Sequence, residues 1–383
     1  MPGLLSDTEL LRRLIAFDTT SANSNRPLVE FLCDYLEGRG AVLELLPSPE
    51  GDKANLLVTL GPSAGPDRAG LVLSGHTDVV PAREQGWESD PFTLVERDGR
   101  FIARGTCDMK GFLALAVNRL AGLNARDLRA PLVLLFTYDE EVGTLGARDF
   151  VAATPAVNAL PAQAVIGEPT SLRPVRSHKG HLKLRLEFAG RTAHSGFPAL
   201  GRNAIEPAGR AVAALGQLRA QLERERPPSG GLFPDVPFVA LNLARIEGGS
   251  AINVIPDRCT LDLGLRLLPD SAAPVLTARV LEAVTRVVPA EAFRLASLGE
   301  SPAMVLDPSA PLFQALCRET GCADGPGLAF ATDAGWLHQL PMDCVILGPG
   351  DIAVAHRPNE WLPVAEFHRA GEILDRMIAR FCG

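Results

Sequence analysis

Residues 71–81 read LVLSGHTDVVP. An apolar run of the kind that fills a buried strand stops at Gly75, and His76, Thr77 and Asp78 follow before apolar residues resume. In an α/β sheet such a switch marks the carboxyl end of a strand, where sites in these sheets gather. Residues i and i+2 of an extended segment point to one side, so His76 and Asp78 are expected to converge. That geometry suits a metal-bound imidazole braced by a carboxylate. It equally suits a capped turn, and the stretch alone leaves both readings open.

Outward from this stretch the same rhythm repeats. Strand-like runs AVLELL (41–46), NLLVTLG (55–61), LVLLFTY (132–138) and AVIG (164–167) alternate with helical patterns near 8–17, 27–38, 110–124 and 144–154, the first opened by Ser6 or Asp7 as N-cap. The alternation predicts an α/β domain with a mixed, largely parallel buried sheet. From about 178 the pattern changes. HLKLRLEFAG alternates with period two, 202–225 is helical, FVALNLARIEG and CTLDLGLRLLP alternate again, 271–288 is helical, and FRLASL closes the set. The order βαββαβ is the ferredoxin-like arrangement, an antiparallel sheet with both helices on one face. The α/β rhythm then resumes with MDCVILGPG (342–350) and an amphipathic helix at 363–381. The expected organisation is a discontinuous first domain, 1–177 and 290–383, with a second domain, 178–289, inserted into it. The segment 224–237, RERPPSGGLFPDVP, reads as a Pro/Gly-rich loop inside the insertion.

A chain of 383 residues exceeds what one core usually supports, in keeping with two domains. A net charge of −8 without a Lys/Arg cluster predicts no nucleic-acid partner. The seven cysteines are scattered and form no CxxC pair, which predicts a reducing compartment and neither a disulfide framework nor a thiolate cluster. The first residues lack a basic start followed by an apolar core, and no apolar run approaches the ~20 residues that span a bilayer. A cytoplasmic protein without a membrane partner is the expectation.

Polar clusters follow five runs of the first domain: His76 with Asp78, RGTCDMKG (104–111) before a helix, YDEEVGT (138–144), IGEPT (166–170) and AHRPNE (355–360). Together they supply two histidines and several carboxylates. A His/carboxylate set without thiolates suits zinc, cobalt or manganese in a hydrolytic site, and an aspartate can bridge two such ions. Each residue taken singly has a plainer reading. Asp108 also suits the N-cap of the helix that follows, Glu140 and Glu141 a solvated strand end, Glu168 a turn before Pro169, and His356 a surface loop. Their joint occurrence at successive strand ends makes coincidence the weaker explanation. No GxGxxG follows a strand, GxxxxGK[ST] does not occur, and no GxSxG supplies a nucleophile elbow. Cys107 beside Asp108 has no base near it in sequence and reads as a buried structural thiol.

SGHTDVVP, RGTCDMKG, DEEVGT, IGEPT, RTAHSG (191–196), GGSAINVIP (248–256) and AHRPNEWL, in this order and over most of the chain, resemble the di-zinc amidohydrolases. That family includes acetylornithine deacetylase, succinyl-diaminopimelate desuccinylase and carboxypeptidase G2-like enzymes. Within it FDTTSANSN (17–25), SHKGHLKL (177–184) and GDIAVAHRPNEWL (350–362) look most like the acetylornithine deacetylase branch. The resemblance implies a zinc-exopeptidase-like catalytic domain with an inserted ferredoxin-like lid and dimerisation domain. It implies two Zn2+ ions, with Co2+ able to substitute: His76, Asp108 and Glu168 holding one, Asp108, Glu141 and His356 the other, and Asp78 orienting His76. Glu140 is implied as general base, His194 as an oxyanion donor in a homodimer, and Asn253 and Arg266 as contacts for the reacting carbonyl and the substrate carboxylate. On sequence pattern alone His194, Asn253 and Arg266 also read as surface residues. Thr332 in FATDAGWL (330–337) matches a substrate-contact position, although ATDAG departs from the usual form there. The expected substrate is a small N-acyl amino acid, N2-acetyl-L-ornithine first. The alternatives are another acyl amino acid, succinyl-diaminopimelate, a peptide cut from its carboxyl end, or a silent metal-binding protein on the same scaffold.

Overall fold

In the computed structural model, residues 3–154 and 160–383 are described, and the chain divides into two compact units. The first comprises Met1–Arg176, Leu306–Gly325 and Thr332–Gly383. Its six-stranded sheet runs in the order Val42–Pro47, Ala54–Leu60, Leu132–Thr137, Leu71–His76, Gln163–Ile166, Asp343–Ile346. The first two pairings are antiparallel and the other three parallel, so the sheet is mixed, with the antiparallel strands at one edge. Leu71–His76 and Leu132–Thr137 are buried along their whole length, as strands covered on both faces must be. Residue 76 lies opposite residue 137 in register, which places the ends of these strands side by side.

The glycines of the sheet explain where its apolar runs stop. A Cβ on Gly75 would sit 2.5 Å from the Met109 Cε and 2.9 Å from the Leu113 Cδ2, and one on Gly167 would sit 2.1 Å from the ring of Phe112. These two positions let the helix Gly111–Gly122, and the turn that leads into it, press against the strand ends. Ser6 caps the first helix, its hydroxyl accepting the Glu9 N–H at 3.1 Å.

The second unit comprises Ser177–Val305 with Pro326–Ala331. Its four-stranded antiparallel sheet has the order Ala240–Gly248, Arg258–Leu267, Gly180–Ala189, Phe293–Ser301, with helices Ile205–Leu222 and Ala273–Thr285. Buried residues alternate with half-exposed ones along Gly180–Ala189 and Arg258–Leu267, so one face packs against the helices and the other is wet. The unit runs beyond the expected limit of 289 because Phe293–Ser301 pairs with Gly180–Ala189 as its fourth strand. That strand alternates poorly and carries an irregularity between Ser297 and Gly299, which weakens its sequence pattern. Residues 326–331 join the unit through Leu328, whose backbone exchanges hydrogen bonds with Ser177 and Lys179. The Pro/Gly-rich loop is pinned by Lys179, whose Nζ donates to the carbonyls of Val236 at 2.6 Å and Phe238 at 3.0 Å.

Candidate metal centre

The five expected ligands come together at the carboxyl ends of the first unit's strands. His76 ends its strand, Asp108 lies in a wide irregular turn at 106–110, Glu141 follows Leu132–Thr137, Glu168 follows Gln163–Ile166, and His356 follows Asp343–Ile346. They form two groups, His76/Asp108/Glu168 and Asp108/Glu141/His356, each with one ligand atom per residue all within 4.8 Å of one another. Asp108 belongs to both. Its Oδ1 faces His76 Nε2 at 2.9 Å and its Oδ2 faces His356 Nε2 at 3.2 Å. Glu168 Oε1 lies 3.9 Å from His76 Nε2, and Glu141 Oε2 lies 3.1 Å from His356 Nε2. His76, Asp108 and Glu168 are buried, whereas the His356 side chain is 48% exposed. Asp108 is not the N-cap of the following helix, a place taken by Lys110 without a side-chain cap.

Asp78 is placed differently from the expectation. Its backbone carbonyl, 2.9 Å from His76 Nδ1, accepts the ring proton, while its carboxylate Oδ1 is 3.6 Å from that nitrogen. The carbonyl therefore fixes the orientation of the ring and turns Nε2 toward Asp108. The carboxylate instead accepts the backbone N–H of Glu140 at 3.0 Å and of Glu141 at 3.3 Å, together with the Ser21 hydroxyl at 2.7 Å. It thus sets the turn that carries both glutamates. Beside it, Asp139 occupies the left-handed region at φ 54° and pairs with Lys53 Nζ at 2.6 Å. The parts played by Lys53 and Ser21 have no local signal in the sequence, because their partners Asp139 and Asp78 lie 86 and 57 residues away in the chain. Asp139 was visible only as part of YDEEVGT.

The charges show what the pocket calls for. Burial, and then the charge of Glu168, push Glu140 well above the usual carboxylate range. Burial and Asp108 push Glu168 the same way and raise Glu141 to about 7. Burial alone would raise Asp108, but hydrogen bonds from His356 and His76 together hold it below the ordinary range. His356, bonded to Asp108 and Glu141, is raised to about 10. Asp108, Glu140, Glu141 and Glu168 thus place four acidic groups around two imidazoles in a largely buried space. Oxygen and imidazole donors with this excess of negative charge fit a pair of divalent cations sharing the Asp108 carboxylate. The Cys107 thiol is buried and pushed far up by burial, which suits a structural role.

The remaining expected residues lie elsewhere. Thr332 is buried in the first unit, its hydroxyl accepting the Ala334 N–H at 3.2 Å. Its neighbour Asp333 accepts the Thr137 hydroxyl at 2.5 Å through Oδ2, and its buried Oδ1 has no hydrogen-bond partner among the described residues. His194, Asn253 and Arg266 belong to the second unit. His194 pairs in register with Val254, and the Ser195 N–H donates to the Asn253 carbonyl at 2.9 Å, so His194 and Asn253 share one exposed corner. Arg266 lies opposite His181 across two strands.

Comparison with known proteins bears on the whole chain. It is 37% identical over 380 residues to an acetylornithine deacetylase of Myxococcus xanthus, covering 97% of each chain. It is 35% identical over 393 residues to an acetylornithine deacetylase of Pasteurella multocida (strain Pm70), covering 100% of each. Its fold matches an M20 family metallo-carboxypeptidase of Sulfolobus solfataricus with a TM-score of 0.79 at 16% identity, over 98% of each chain. A dinuclear metal binding peptidase of the M20 family from Bacillus subtilis matches with a TM-score of 0.66 at 14% identity, over 98% of each. The model of Peptidase family M20/M25/M40 matches residues 72–380, from the His76 strand through the last helix, and the chain belongs to that family.

Proposed function

We propose that this chain is an acetylornithine deacetylase that hydrolyses N2-acetyl-L-ornithine to L-ornithine and acetate in the cytoplasm, as a homodimer holding two Zn2+ ions for which Co2+ can substitute. The observation that carries the hydrolytic reading is the pair of ligand groups sharing Asp108, with Glu140 beside them. The substrate rests on the names and full-length similarity of the relatives. The reducing compartment is supported by seven free cysteines, and among the described residues no helix is long and apolar enough to cross a membrane.

His76, Asp108 and Glu168 would hold one cation, and Asp108, Glu141 and His356 the other. Bound there, such cations lower the pKa of water to about 7 and draw charge from an acyl oxygen. Glu140, next in chain to Glu141 but outside both ligand groups, takes the proton from the attacking water and returns it to the departing amine. The two glutamates stand in a turn, closed by the Gly143 and Thr144 N–H groups donating to the Glu140 carbonyl, and Glu141 belongs to a ligand group while Glu140 is left to move the proton. Asp78 keeps both in place through their N–H groups.

In the second unit His194 Nδ1 accepts the Gly196 N–H at 3.0 Å, so the neutral ring carries its proton on Nε2, a donor suited to an acyl oxygen. Asn253 and Arg266 are assigned to the carbonyl and the substrate carboxylate, and Thr332 to a lesser contact. The edge strand Ala240–Gly248 is largely exposed and can pair with its twin, which would carry His194 toward the partner subunit's site. A panel of N-acyl amino acids, assayed with Zn2+ and with Co2+, tests the substrate. N2-acetyl-L-ornithine should give the highest kcat/KM, and a higher value for a succinylated or dipeptide substrate would reassign the enzyme within its family.

A further inference from the structure

Arg104 and Glu360 are each only 1% exposed, and neither belongs to the ligand groups. Glu360 Oε2 accepts Arg104 Nη1 at 2.8 Å. Glu360 Oε1 accepts the backbone N–H groups of Cys107 at 2.9 Å and Asp108 at 3.0 Å. The Glu360 carbonyl also accepts the Ala103 N–H at 3.1 Å. Arg104 in turn donates to the carbonyl of Arg357, directly after His356, at 3.4 Å, and to that of Pro81, at the end of GHTDVVP, at 3.2 Å. One ion pair therefore touches the three segments that carry His76, Asp108 and His356.

A buried ion pair is a poor source of stability, since desolvation offsets most of its attraction. What this one supplies is position. Asp108 (φ −124°, ψ 92°) and Met109 leave helical geometry inside the turn 106–110, so no helical ladder fixes the Asp108 main chain. The Glu360 carboxylate does so instead, by accepting its N–H. We propose that Glu360 is a positioning residue that acts through the main chain of Asp108, holding its carboxylate across both ligand groups, with Arg104 locking Glu360 and tying in the flanking segments. The proposal rests on the dinuclear reading of the site.

The test compares two variants in an Arg104→Met background, where the buried cation is gone. Glu360→Gln keeps an oxygen for the two N–H groups, whereas Glu360→Met keeps similar bulk without an acceptor. The affinity of the metal-free protein for Co2+, measured against a chromophoric chelator, should be about 10- to 100-fold higher for the Gln variant, the usual effect of a group supporting a metal ligand. Its Co2+ absorption bands should match those of the wild type. Equal affinities in two folded variants would overturn the proposal. Amide exchange in the metal-free wild type gives a second reading that needs no variant. The Cys107 and Asp108 amides should exchange as slowly as those of Gly111–Gly122, and rapid exchange would also overturn it. A wild type that binds no Co2+ would count against the dinuclear reading, an outcome distinct from both.

Discussion

Each oxygen of the Asp108 carboxylate faces a different imidazole, so this side chain is common to both ligand groups. Asp108→Ala should therefore weaken both cation sites together, whereas Glu168→Gln should weaken one first. Metal titration followed by Co2+ absorption distinguishes the two patterns. Glu140→Gln should leave metal content and fold intact and lower kcat by about 10²-fold or more, the scale of general acid–base catalysis. An active Glu140→Gln enzyme with two ions bound would remove the residue from proton transfer. At this scale the histidines and carboxylates were legible because they stand at the ends of apolar runs. The bracing of His76 was not. The rule that residues i and i+2 share a side holds inside a strand, but the strand ends at His76, and Asp78 lies beyond it with its carboxylate turned to the Glu140 and Glu141 N–H groups.

The strand Leu71–His76 and the helix Gly111–Gly122 meet where Gly75 and Gly167 leave no room for a Cβ. Gly75→Ala should cost about 1–3 kcal/mol, the usual range for overpacking, and thermal unfolding of the metal-free protein measures it. A neutral substitution would mean that Met109 and Leu113 yield easily. In the second unit Leu186 is fully buried in the core formed by the sheet and its helices, and Leu186→Ala should cost about 2–5 kcal/mol by denaturant unfolding. The strands were legible from apolar runs in the first unit and from strict alternation in the second. Phe293–Ser301 was harder to delimit because its irregularity breaks the period of two. The Arg104–Glu360 pair was invisible, since 256 residues separate partners that meet only once the sheet has formed. Both sit in motifs whose more evident residues drew the reading.

At the scale of the whole molecule, the change of rhythm near 178 and its return announced a second unit, and the structure finds one. Its limits depended on one weak strand and on Leu328, which joins by backbone hydrogen bonds that leave no trace in composition. The proposed homodimer has its own test. If His194 serves the partner's site, mixing inactive His194→Ala subunits with inactive Glu140→Gln subunits should restore activity, because one site of the mixed dimer is then whole. No recovery despite subunit exchange would confine His194 to its own subunit or to the surface. The most direct measurement of the central claim is a metal titration of the stripped protein that follows amine release from N2-acetyl-L-ornithine. Removing metal should abolish hydrolysis, and adding Zn2+ or Co2+ should restore it, reaching full activity at two ions per chain. Hydrolysis that survives metal removal, or that saturates at one ion with the second group empty, would contradict it.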